Sequence, residues 1–278
     1  MAKLSAFADE AVYEFAGQID FLVKQGVNYI EPRFFDGQEN IMNLTDYQLR
    51  EAKKMLDGNN IGVSAIGSPI GKVRLDEPFE NHLEKFKHAV ELAEFFGTKN
   101  IRMFSYYAPA GKNIFDYRSE VVGRMLRKIE LLKDIDIVML LENEADLYGQ
   151  SSDRAVELVK AVDSPKLRLC YGPANFVVAF GITDNTQSCW PIMKPYVSHI
   201  HIKDWKVGAE IGSMPGQGDG QIKMLLKELA CIGYDGFITM EPHLQQGGQF
   251  GGASGTELFA QAINETKRMA QDVGLVIE

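Results

Sequence analysis

Val197-Ser198-His199-Ile200-His201-Ile202-Lys203-Asp204-Trp205 is the stretch whose reading decides the fold. It has the make-up of a short buried strand whose polar residues gather towards its C-terminal end. Alternation with a period of two puts Val197, His199, His201 and Lys203 on one face, and Ser198, Ile200 and Ile202 on the other. A strand that gives inward positions to two imidazoles and an ammonium gives up core packing, because isolated buried polar groups are costly. Two further strand-like segments end in the same manner, Leu140-Leu141-Glu142-Asn143-Glu144 and Ile238-Thr239-Met240-Glu241-Pro242-His243. His201 with Glu142 and Glu241 makes a mixed imidazole–carboxylate set suited to a divalent metal. Taken singly, each reads as a hydrogen-bonded strand-end residue. Three at equivalent places in a repeating chain point to a site.

Outward from this stretch the chain alternates strand and helix. Strands are expected over 4–8, 27–33, 61–66, 100–105, 135–142, 167–171, 197–202 and 236–240. Helices are expected over 11–24, closed by Gly26, and from the N-cap Thr45 to Leu56. Others run over 80–96 with Gly97 as the stop, over 118–133, from Ser152-Asp153 to near Val162, and over 255–272. In the 80–96 helix Leu83, Phe86, Val90 and Phe95 are core candidates, and His82 and His88 are read as surface residues. Eight such units without a low-complexity linker describe one domain over 1–278 and a parallel sheet covered by helices. The length favours a closed (β/α)8 barrel over an open doubly wound sheet, and the turn after the first strand is Ala8-Asp9-Glu10 where a dinucleotide fold needs Gly-x-Gly-x-x-Gly. In a barrel the strand C-termini open on one face, so Glu142, His201 and Glu241 converge there.

Composition narrows the function classes. A hydrophobic share of 45% with 24% charged residues is that of an ordinary globular protein. The net charge of -9 argues against a nucleic-acid or anionic-membrane surface as main partner. The three cysteines show no paired spacing, and Cys170 and Cys231 read as small core residues. The N-terminus lacks the apolar run of a signal peptide, and the longest uncharged stretch, 169–183, is too short to span a bilayer. A cytoplasmic enzyme is the resulting expectation; homo-oligomerisation stays open.

Seven pieces carry a resemblance: Ser5-Ala6-Phe7-Ala8-Asp9-Glu10, Tyr29-Ile30-Glu31, Leu141-Glu142-Asn143-Glu144, Pro173-Ala174-Asn175-Phe176, His199-Ile200-His201-Ile202-Lys203-Asp204, Pro215-Gly216-Gln217-Gly218-Asp219 and Met240-Glu241-Pro242-His243. In these the chain resembles the xylose-isomerase-like TIM-barrel superfamily, particularly its sugar phosphate isomerases/epimerases. That group also holds ketose 3-epimerases, inosose dehydratases and endonuclease IV. Similar epimerases hold one divalent metal with Glu, Asp, His and Glu from strands five to eight. The resemblance implies Glu142, His201 and Glu241 as ligands of Mn, Zn, Co or Mg. It departs at Gly172-Pro173-Ala174-Asn175-Phe176, where similar sequences read Asp-Pro-Ala-Asn-Phe. One carboxylate is then missing unless Asn175, Glu144 or water replaces it. Two glutamates and a neutral histidine still balance a dication and leave open positions.

The chemistry this implies is removal of a proton beside a carbonyl through an enediolate, on a small carbohydrate. Glu142 and Glu241 are the expected proton-transfer pair, opposed carboxylates giving epimerisation and one working alone giving isomerisation. Expulsion of a leaving group would instead make a lyase or dehydratase. Glu31, Asn175, Lys203 and His243 are candidate hydroxyl or carbonyl binders, with His199 deeper and in a supporting place. The glycine-rich segment 246–255 is a candidate lid or, more weakly, a phosphate cradle. A nuclease is disfavoured by the acidic charge and by only five histidines, two of them assigned to a surface helix. A non-catalytic sugar-binding barrel is favoured by Gly172 and disfavoured by the survival of the other three ligands.

Overall fold

The computed structural model describes residues 1–36, 39–247 and 252–278. In chain order its strands are β1 (Lys3–Ala6), β2 (Tyr29–Ile30), β3 (Phe34–Phe35), β4 (Glu39–Asn40), β5 (Gly62–Val63), β6 (Ile66–Gly67), β7 (Asn100–Met103), β8 (Val138–Glu142), β9 (Leu167–Tyr171), β10 (Val197–Ile202) and β11 (Phe237–Met240). All but β3 and β4 belong to one parallel sheet in the order β5-β2-β1-β11-β10-β9-β8-β7-β6. The first strand pairs with the last, Lys3 opposite Phe237 and Ala6 opposite Met240. The two ends of that order, β5 and β6, are one barrel strand interrupted at Ser64 and Ala65, which makes the sheet a (β/α)8 barrel of eight positions. Side chains stitch the interruption. The Ser64 hydroxyl meets that of Ser5 at 2.7 Å, and the Ser64 carbonyl accepts from Thr98 Oγ1 and Asn100 Nδ2.

The covering helices are α1 (Phe15–Gln25), α2 (Asp46–Gly58), α3 (Phe79–Phe96), α4 (Arg118–Leu131), α5 (Ser152–Val162), α6 (Pro173–Phe180), α7 (Asn185–Ser188), α8 (Trp190–Met193), α9 (Ile222–Cys231) and α10 (Gly255–Asp272). Their ends follow local chemistry. Thr45 and Gln48 form a reciprocal capping box on α2, and left-handed Gly26 and Gly97 close α1 and α3. One apolar cluster between strands and helices runs from Ala2 to Leu275. A separate small one, Ala65, Leu140 and Cys170, packs apart from it. No helix among the described residues is long and apolar enough to cross a membrane.

Several expectations need correcting. The first strand stops at Ala6, and Ala8–Glu10 turns as a 3-10 helix, which carries Asp9 and Glu10 inward to Arg33. The second strand is only β2; after it the chain doubles back as the antiparallel pair β3–β4. Phe95 is exposed and Phe96 buried, because the buried stripe of α3 runs through Phe86, Ala89, Val90 and Ala93 to Phe96. His82 is buried on that stripe, its Nε2 accepting the Gly71 N–H at 3.2 Å, whereas His88 stays half-exposed beside Glu91. Cys170 is buried as expected, but Cys231 is exposed at the end of α9. Part of the glycine-rich segment, residues 248–251, lies outside the described residues.

Candidate functional site

Glu142 is the last residue of β8, His201 the fifth of β10, and Glu241 follows β11 directly. Parallel register brings them together: Glu142 faces Cys170, which pairs with His199, and His201 faces Thr239. His201 Nδ1 lies 3.2 Å from Glu142 Oε1 and 3.6 Å from Glu241 Oε2. One ligand atom from each residue falls within 4.8 Å of the others, and all three side chains are buried.

The opposite edge of the imidazole explains the arrangement. His201 Nε2 donates to Glu31 Oε2 at 3.2 Å, and the same oxygen receives His199 Nε2 at 2.9 Å and Thr239 Oγ1 at 2.8 Å. A carboxylate that accepts at Nε2 fixes the proton there and turns the Nδ1 lone pair towards Glu142 and Glu241. A lone pair facing two carboxylate oxygens is repulsive unless a proton or a cation stands between them. Burial opposes charge on His201, yet the anions Glu31 and Glu142 raise its pKa well above the usual value. The donor set therefore fits a divalent cation, and a second sign is that buried Glu241 Oε2, though near Lys203, accepts no hydrogen bond among the described residues.

Both glutamates are anions at neutral pH. Burial pushes Glu142 up, but His201 beside it prevails and holds its carboxyl at about 2. Burial likewise works against Glu241, which Lys203 and His243 keep well below the usual carboxylate range. Lys203 Nζ is 3.4 Å from Glu241 Oε2, while Arg33 Nη1 and His243 Nε2 lie 3.2 and 3.3 Å from Oε1. His243 loses basicity to burial, but Glu10 at 3.1 Å more than compensates and lifts it to about 9. Arg33 also reaches Asp9 through Nε and Nη2, at 3.1 and 2.9 Å.

Above this cluster opens a cleft of about 580 Å3, of the size that takes a small molecule. Glu142, Glu241, Lys203 and His243 line it, together with Arg33, Arg102 and Lys72. Phe34 and Asn40 of the β3–β4 pair form part of its rim. Glu31 does not line the cleft; it is fully buried beneath His201. Asn175 is also outside the lining, its Nδ2 donating to the Asn143 carbonyl at 2.6 Å and to Glu142 Oε1 at 3.4 Å. Glu144 lies on the cleft wall, paired with Lys72 at 3.0 Å. At Gly172, backbone N–H and carbonyl both bond the Asn143 amide, and a Cβ there would sit 3.2 Å from Asn175 Nδ2. The amide nitrogen of Asn175 thus takes the room next to Gly172.

Asp204 has a structural task. Its carboxylate is fully buried and accepts the N–H groups of Trp205, Gly216, Gly218 and Gly220 at 2.8–2.9 Å. Glycine is required at Gly218 because a Cβ would come within 2.3 Å of Asp204 Oδ1. Sequence reading missed Arg33, Arg102, Asp9 and Glu10 as site residues. A signal existed for Arg102: it is an arginine inside a strand of a parallel sheet, whose strands are buried on both faces.

The fold is a barrel with a candidate metal site at its strand ends. The Xylose isomerase-like TIM barrel family matches residues 19–274, and the chain belongs to that family. Among curated relatives, the uncharacterized protein YihM of Escherichia coli (strain K12) is 27% identical over 182 residues, 62% of this chain and 53% of that protein. The 3-dehydroshikimate dehydratase of Bacillus anthracis is 24% identical over 132 residues, 48% of this chain and 46% of that one. The chain thus spans about half the length of the curated relatives it matches. Among solved structures, D-psicose 3-epimerase with D-tagatose from Clostridium cellulolyticum H10 superposes with a TM-score of 0.74 at 17% identity, covering 98% of this chain and 99% of that one. At that identity the likeness speaks for the fold alone.

Proposed function

We propose that the cleft is the active site of a divalent-metal-dependent isomerase or epimerase of a sugar or sugar-like polyol. The observation that carries this reading is His201 Nδ1, buried beneath the cleft, turned between the cleft-lining Glu142 and Glu241 by the Glu31 hydrogen bond. Glu142, His201 and Glu241 would hold the ion; when bound, it supplies the Lewis acidity that stabilises negative charge on substrate oxygens. Glu142 and Glu241 are anionic and line the cleft, so each can accept a proton from carbon next to a carbonyl. Two carboxylates serving the two faces of that carbon invert its configuration, and one serving a neighbouring oxygen isomerises. Lys203 and His243 line the same wall and present N–H donors to carbonyl or hydroxyl oxygens.

The test is solvent-deuterium incorporation into a panel of ketoses, inososes and 3-keto-sugars with Mn2+ added. Glu142→Gln and Glu241→Gln, compared at demonstrated metal saturation, should each lose roughly 100-fold or more in exchange, the scale of general acid–base groups. Wild-type exchange in a metal-saturated variant would reduce that glutamate to a ligand or a packing residue. Absence of exchange across the whole panel would favour a binding barrel.

A second reading, a dehydratase, draws on His243. With a pKa lifted to about 9 it carries a proton at neutral pH and faces the cleft, as an acid for a departing hydroxide must. The similarity to a dehydratase agrees with it. Loss of water from product, read by mass in the same panel, separates the two.

A further inference from the structure

Two arginines line the cleft at similar depth, and they are not in the same state. Arg33, 7% exposed, is bonded to Asp9 and Glu241 and lies 3.5 Å from Glu10. Arg102, 5% exposed, forms no side-chain hydrogen bond among the described residues. Its nearest carboxylates stand off at 3.6 Å (Glu142 Oε2) and 3.9 Å (Glu31 Oε1), and both are approached by Nε. Its guanidinium carbon sits 4.7 Å from the centroid of the Phe104 ring and 5.4 Å from that of Phe7, contacts that leave the buried Nε without an acceptor among the described residues.

A guanidinium carries five N–H donors and does not deprotonate, so burying it without acceptors is costly. Arg102 serves as a counter-charge to Glu31 and Glu142 through Nε, but that role leaves its N–H groups without hydrogen bonds among the described residues. Glu31 already takes three donors on Oε2, Glu142 is bonded by His201, and Arg102 touches neither within hydrogen-bond distance. Lys72 Nζ lies 4.3 Å from the centroid of the same Phe104 ring but is already paired with Glu144 at 3.0 Å, so Arg102 is the cation of that wall without a side-chain hydrogen bond among the described residues.

We infer that Arg102 is the receptor for an anionic group on the substrate, so that the cleft takes an acidic polyol in preference to a neutral ketose. The inference rests on reading this cleft as the substrate site. The shared chemistry is an oxyanion that offers two oxygens to the fork of a guanidinium, and a carboxylate or a phosphate ester satisfies it equally.

The experiment measures binding, not turnover, so its outcome is independent of the catalytic reading. Mn2+-loaded wild type, Arg102→Gln and Arg102→Lys are titrated calorimetrically with sorbitol, gluconate and sorbitol 6-phosphate. Metal occupancy is matched beforehand, because the ion itself attracts anions. Wild type should bind one or both anions at least 10-fold more tightly than sorbitol, and Arg102→Gln should lose roughly 10- to 100-fold of that preference, the scale of charge-assisted hydrogen bonds. Arg102→Lys keeps the charge without the fork and should recover part of it. Preference for gluconate identifies a carboxylate, and preference for sorbitol 6-phosphate alone a phosphate. Equal binding of sorbitol and both anions, a preference untouched by Arg102→Gln, or no saturable binding of either anion overturns the inference. Anion preference without solvent exchange would keep it and remove the catalytic reading; exchange on a neutral sugar without anion preference would do the reverse.

Discussion

Glu31→Gln tests the role given to the fully buried carboxylate under His201. The substitution keeps size and shape but replaces an anion by an amide. Glu31 Oε2 collects donors from His199 at 2.9 Å, His201 at 3.2 Å and Thr239 at 2.8 Å. An amide oxygen can receive these donors only as neutral bonds, worth about 1 kcal/mol each against about 1.5–3 kcal/mol for bonds to a charged acceptor. For the His201 bond alone the loss is therefore about 1 kcal/mol. The amide also brings its own N–H groups, which have no acceptor in Arg102 Nε at 3.9 Å on the far side. Weaker anchoring lets the ring turn and lowers its basicity as a ligand, so Mn2+ affinity should fall about 10- to 100-fold, the usual scale for such outer partners of a metal-binding histidine. Calorimetric titration of folded protein, checked by circular dichroism, measures this. Thr239→Val removes one donor and leaves the carboxylate, so its effect should be smaller than that of Glu31→Gln. Unchanged Mn2+ affinity in Glu31→Gln refutes the reasoning: His201 would then not be a ligand held through Glu31.

Two other outcomes follow from particular contacts. Gly172→Asp should tighten Mn2+ binding by about 10-fold, the worth of one further charged contact. The backbone φ of -113° accepts a side chain and only Asn175 Nδ2, 3.2 Å from the new Cβ, has to yield, so unchanged calorimetric affinity would show the fourth position already filled. The second outcome concerns acid stability. His82 is lowered from 6.5 to about 3, first by burial and then by the charge of Lys128, so the unfolded chain binds its proton more readily than the folded one. Its contribution is intact above about pH 6.5 and is lost as pH falls towards 3, up to about 2 kcal/mol between pH 7 and 5. In His82→Gln, denaturant unfolding should show that much less pH dependence over the interval, and an identical profile would remove the assignment.

Much of the fold was legible because the chain states its element ends locally. Thr45 with Gln48, and Gly26 and Gly97, mark helix boundaries by capping chemistry that needs no tertiary partner. The bounds of α10 were read as well, although Ser254 makes no side-chain cap there, whereas β3–β4 was not: two pairs of residues offer no alternation to read. Phe95 and Phe96 are adjacent aromatics on one helix, and only the phase of the whole stripe decides which is buried. His82 shares that helix with charged neighbours, and what draws it inward is a backbone N–H at Gly71, invisible until the loop is folded back over it.

The candidate ligands were legible for a different reason: a barrel aligns its strand ends, so Glu142, His201 and Glu241 could be grouped without knowing any distance. What sequence could not separate was the state of the charges around them. Arg33 and Arg102 both sit at or near strand ends, both are buried and both face aromatic rings. They differ in what the first βα turn sends towards them. Asp9 and Glu10 meet Arg33, 24 and 23 residues further along the chain, whereas the two carboxylates that face Arg102, Glu142 and Glu31, stand off at 3.6 and 3.9 Å and make no hydrogen bond with it. A list of charged residues counts both arginines alike, yet only donors left without acceptors are available to a ligand. The net charge of -9 thus says little about this cleft, since the preference of a buried site follows from the donors its own walls leave unpaired.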